Sequence, residues 1–109
     1  MSEPDAPFEM ERFEFVLLRR PAERAEIPDE EAERLQDLHT GHLAAMRAAG
    51  HLRLAGPFDE QRDESLRGLC VYQTGSIGRT RELAESDPAV VAGRMEVDVM
   101  YFFCMKGEL

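Results

Sequence analysis

The stretch RMEVDVMYFFCM, residues 94–105, decides the fold. Read at period two, Met95, Val97, Val99, Tyr101 and Phe103 form one row. The other row begins Arg94, Glu96 and Asp98 and turns apolar at Met100, Phe102 and Cys104. Such alternation marks a β-strand. A strand that is apolar on both rows needs cover on both faces. Residues 12–20 behave alike: Phe13, Phe15 and Leu17 alternate with Glu14, Val16 and Leu18. So do residues 67–74, where Leu69 and Val71 oppose Cys70 and Tyr72.

Between the first two strands lies a long helical pattern. Pro21 stops the first strand and Pro28 closes a charged loop. Asp29 is then expected to cap a helix that runs to about Ala49, with an acidic first turn that suits the helix dipole. At about 100° per residue, Ala32, Leu35, Leu38, His39, His42, Met46 and Ala49 share one stripe. Gly50 stands where a C-terminal glycine belongs. A short strand over residues 51–55 ends at Gly56-Pro57, read as a terminator and turn, and a polar loop follows over 59–65. After the strand at 67–74, Ser76 can cap a second helix that Asp87-Pro88 ends. The order is β-α-β-β-α-β, the split βαβ pattern of an α+β ferredoxin-like domain. It predicts a four-stranded antiparallel sheet with two helices on one face.

Two helices cover only one face of four strands. The second apolar face predicts an interface, and the simplest occupant is a second copy related by a two-fold axis. The alternative is that the N-terminal tail covers it. Residues 1–10 are expected to be a disordered tail and residues 11–109 a single domain. The first residues are acidic, with no signal-peptide pattern, and no apolar run approaches the ~20 residues of a membrane span. The chain is therefore read as cytoplasmic. Its formal net charge is −9, from 13 basic and 22 acidic residues. That field opposes nucleic acid and anionic membrane as partners. Cys70 and Cys104 sit in apolar strands outside any metal-ligand spacing, and are read as buried thiols.

The candidate chemistry lies on the first helix and on Asp87. His39 and His42 fall about 60° apart inside the apolar stripe. An inward imidazole needs hydrogen-bond partners, and its ordinary pKa near 6.5 suits acid–base work. It can equally be a satisfied core residue, or share a metal if a third ligand exists. No metal is expected, because His51 falls beyond the helix and points elsewhere. Asp87 before Pro88 reads as a helix N-cap, a role compatible with accepting a proton from an imidazole. Arg94 is either a solvated edge charge or a grip for an anionic group.

These segments resemble a known family. His42-Leu43, then Ala49-Gly50-His51-Leu52, then Ala55-Gly56-Pro57-Phe58, look like the core motif of the YciI-like (YCII-related) domain family. Asp87-Pro88-Ala89-Val90 and Ala92-Gly93-Arg94 add to the likeness, which runs from about Arg12 to the end of the last strand. The resemblance implies a dimeric α+β barrel. It also implies a catalytic His–Asp pair, falling by motif position on His42 and Asp87, with His39 belonging to an H-x-x-H subset. Relatives often carry a Trp near the end of the last strand, whereas this chain has none and places Tyr101 to Phe103 there. Some relatives are linked to halide removal from aromatic compounds, and others accompany regulatory proteins.

The expectation is thus a small cofactor-free enzyme. His42, charged and oriented by Asp87, would move a proton on a small molecule, aromatic or polyketide-like, in a lyase- or isomerase-like step. His39, Met46, Gly56, Pro57 and Arg94 would line the helix–sheet cleft that binds it. No nucleophile elbow, phosphate loop or dinucleotide fingerprint supports other chemistry. The alternatives are a non-catalytic homodimeric module that binds a small ligand, and a purely structural dimer.

Overall fold

A computed structural model describes residues 9–109 of the chain. Strand β1 (Met10–Arg19) is followed by α1 (Asp29–Ala48), β2 (Leu52–Pro57), β3 (Leu66–Tyr72), α2 (Ile77–Glu85), α3 (Pro88–Val91) and β4 (Glu96–Met105). The strands form one sheet in the order β2-β3-β1-β4, antiparallel throughout. Both crossovers skip a strand, as the α+β ferredoxin-like arrangement requires. The expected tail lies outside the described residues apart from Glu9 and Met10, and Met10 already opens β1.

Several element ends differ from expectation. Asp29 is the first residue of α1 and not its cap; Pro28 occupies the cap position with no side-chain bond. Its carbonyl accepts from the Glu31 and Ala32 N–H groups, both at 3.0 Å, which starts the helix without a side-chain cap. Strand β2 carries on through Gly56-Pro57. It is an edge strand, where a missing N–H costs no ladder bond. Ser76 does cap α2, its hydroxyl accepting from the Arg79 N–H at 3.0 Å. Gly50, beyond the end of α1, has φ +83°, a left-handed position that side chains resist.

The core lies between the sheet and the helices. Val16, Leu18, Leu52, Cys70 and Tyr72 from the strands and Ala84 from α2 are buried together. Leu43, Met46, Leu83, Met95, Val97 and Val99 pack against them. The inner row of β1 also carries Glu14, paired across the sheet with Tyr72 and Tyr101 and only 1% exposed. Its Oε1 accepts from the Thr74 N–H at 2.7 Å, the Thr74 hydroxyl at 3.0 Å and the Thr80 hydroxyl at 2.9 Å. These bonds tie β1 to the turn after β3 and to α2, and they satisfy a carboxylate that is expensive to bury unpaired.

The outer face is apolar, as the two-row reading predicts. Phe15 pairs with Met100 and Val71, Leu17 with Leu69, and Phe13 with Phe102. Leu54, Met100, Phe102 and Met105 remain about two-fifths exposed, at 45%, 41%, 41% and 42%. A hollow on this face is lined by Phe15, Leu54, Leu69, Val71 and Phe102, with Leu109 from the chain end.

Candidate active site

Asp87 ends the turn after α2 and caps α3. Pro88 at the first helical position fixes the turn, and the Ala89 N–H donates to Asp87 Oδ1 at 2.9 Å. The carboxyl is thereby held in a buried place, 3% exposed. Its second oxygen, Oδ2, meets Nδ1 of His39 across the contact between α1 and α3. A carboxylate only accepts. Nδ1 therefore carries the proton and donates, which leaves the Nε2 edge of the ring as the basic one.

His39 lines a cavity of about 320 Å³ between α1 and the sheet. Leu18, Leu43, Ala55, Pro57 and Met95 supply apolar walls, while Gln36, Thr40 and Arg67 supply polar ones. The volume sits at the lower end of small-ligand sites, which run from about 300 Å³. Gly68 forms part of the floor. A Cβ there would lie 2.6 Å from the Gly56 carbonyl oxygen, so only glycine allows β2 and β3 to approach so closely. Leu69 lines both this cavity and the hollow on the outer face.

Arg67 reaches the cavity through an irregularity in the sheet. Leu18 pairs with Gly68 and Arg19 with Leu66, so Arg67 is an extra residue in β3. Bulges of this kind re-aim a side chain beside a site. Cys70 lines the cavity too. Burial, and next the charge of Asp87, push its thiol pKa up to about 12, so it stays protonated and is no nucleophile at neutral pH. The buried Tyr72 phenol is raised for the same first cause, then by Cys70 and Asp87.

The sequence-predicted residues divide as follows. Asp87 partners His39 and not His42, which corrects the assignment by motif position. The Nε2 of His42 is buried with no hydrogen-bond partner among the described residues. His39, Gly56 and Pro57 line the cavity together. Met46 packs into the core beside Leu43 and does not line it. Arg94 stands in an adjoining hollow that shares Gln36, Arg67 and Met95 with the cavity. Sequence reasoning missed Gln36, Thr40 and Arg67, polar residues of a helix and of the first position of a strand. Among the described residues no group of three or more His, Cys, Asp or Glu is arranged to hold a metal. No described helix is long and apolar enough to cross a membrane.

The model of the YCII-related domain matches residues 13–102, and the chain belongs to that family. No curated protein matches it significantly. Among solved structures, the chain is similar to the 5-chloro-2-hydroxyhydroquinone dehydrochlorinase of Burkholderia phenoliruptrix in complex with 2,5-dihydroxybenzoquinone. The identity is 18%, covering 82% of this chain and 90% of that one, with a TM-score of 0.49.

Proposed function

We propose that this chain is a small-molecule acid–base enzyme in which His39, held by Asp87, moves a proton within the helix–sheet cavity. One observation carries the reading: a buried carboxylate fixes one nitrogen of an imidazole whose ring forms the cavity wall. His39 Nε2 takes a proton from a C–H or O–H of the ligand. Asp87 holds the Nδ1 proton and steadies the imidazolium, and Nε2 returns its proton to another atom of the same molecule. That is a lyase- or isomerase-like step needing one acid–base group. His42 has no part in it, and Cys70, a thiol throughout, only shapes the wall.

The protein acts as a homodimer, with the outer faces of two sheets packed together. The apolar surface of Leu54, Met100, Phe102 and Met105, with Phe15 and Leu69 between them, supports this, since an exposed patch of that kind marks an interface.

The test is proton exchange into deuterated water, followed by NMR on a panel of small hydroxylated aromatic and keto compounds. A compound that binds the wild type is expected to exchange, with His39→Gln and Asp87→Asn slowing exchange by about 10²- to 10⁴-fold. His42→Leu should stay within about two-fold, a change too small for loss of a general base. Full exchange in His39→Gln would sink the proposal. Binding without exchange of any compound would leave the chain a ligand-binding module.

A further inference from the structure

Beside the His39 cavity lies a second hollow of about 220 Å³ whose charged lining residues are all arginines. Arg24, Arg67 and Arg94 contribute, together with Ala32, Gln36 and Ala89, and no carboxylate is among the described residues that line it. In a chain of net charge −9 this concentration of cations is unexpected. Arg24 and Arg94 are interlocked. Arg24 Nη1 donates to the Arg94 carbonyl at 3.1 Å, and Arg94 Nη1 donates to the Ala25 carbonyl at 2.7 Å. Each guanidinium has five N–H donors in a planar fork, so the lock fixes both groups while leaving most of their donors free. Among the described residues none of the three arginines forms an ion pair. Asp59, Glu60 and Glu64 line a separate hollow with Arg20 and Arg67, yet pair with neither. Burial first, then Arg94, Arg20 and Arg67, draw the Arg24 pKa below its ordinary value. Like charges held together in this way call for a counter-anion.

We infer that the Arg24–Arg94 hollow seats an oxyanion, carboxylate or phosphate, of the molecule whose other end reaches His39, with Arg67 on the shared wall between them. The substrate is then a small organic acid or phosphate ester. Paired forks match the geometry of either oxyanion. The inference rests on the acid–base reading for its second half, while the anion seat stands on the arginines alone.

The experiment titrates the folded chain with acetate and with inorganic phosphate, following the side-chain Nε–Hε signals of Arg24 and Arg94 by NMR. Saturable shifts at both arginines are expected from at least one anion, and the stronger binder distinguishes carboxylate from phosphate. His39→Gln should leave this affinity within about two-fold, so that failure of the acid–base reading stays visible separately. Arg24→Gln with Arg94→Gln should weaken binding by about ten-fold or more, about 1.4 kcal/mol. Should that pair fail to fold, Arg67→Gln, which gives up only a 3.5 Å contact to the Glu64 carbonyl, should weaken it measurably. No saturable shift in the wild type with either anion, or undiminished binding in the folded arginine variants, overturns the inference.

Discussion

At the scale of single residues, His39 and His42 show how far a helical wheel reaches. Both imidazoles were legible as inward. Which of them meets Asp87 was not, because that depends on how α1 lies across α3 and not on spacing along α1. The outcome leaves His42 Nε2 buried with no partner among the described residues, an arrangement that costs about 1–3 kcal/mol. His42→Leu should therefore hold or raise stability, by up to about 1 kcal/mol, in urea unfolding; a loss above about 2 kcal/mol would reveal a hidden bond. Cys70 carries the pH dependence. Its folded pKa of about 12 lies above that of a free thiol, so its share of stability is intact below about pH 9. Above that the unfolded thiol ionises first, and stability falls towards pH 12 by up to about 1.4 kcal/mol per pH unit. Urea midpoints at pH 8 and about 10.5 should show the decline in the wild type. A shallower decline is expected in Cys70→Ala, where Tyr72 and Cys104 remain; an identical one contradicts this account.

At the scale of elements, the order and type of every main segment could be read from period and punctuation. The inner row of β1 also gave a hint that was not followed: Glu14 shares it with Val16 and Leu18. What hides its burial is that its partners, Thr74 and Thr80, come from a turn and a helix some 60 residues on. Glu14→Ala strands these donors and should cost about 2–4 kcal/mol, with Glu14→Gln milder; a loss under about 1 kcal/mol would mean that water replaces the carboxylate. Gly68 was similarly silent, since close approach of two strands has no sequence period. Gly68→Ala forces a methyl against the Gly56 backbone and should destabilise by about 1–3 kcal/mol. It should also open the cavity floor, read as weakened ligand binding. Unchanged stability would show that β2, as an edge strand, yields freely. The arginine hollow was the least legible feature. Arg24 belongs to a charged loop, and charged loops ordinarily read as solvated.

At the scale of the whole molecule, the two-faced sheet places the site and the outer apolar surface back to back. Phe102→Glu, or Met100→Glu, puts a charge where a second copy would pack. Sedimentation should show the wild type as a dimer and either variant as monomer, with association weakened by about ten-fold or more. A monomeric wild type would remove the homodimer and leave the site in a single chain. Leu69 touches both surfaces, since its side chain belongs to the outer row opposite Leu17 while the same stretch of strand also lines the cavity. In a pair of copies, that residue would be a channel for information. The packing of its side chain against a neighbour and the place of its backbone beneath a guest could not both be set independently. Linkage is reciprocal, so a guest that loosened the neighbour's grip would itself be held less firmly in the pair. One leucine would then let two identical molecules sense each other's occupancy, with no hinge, lid or second effector.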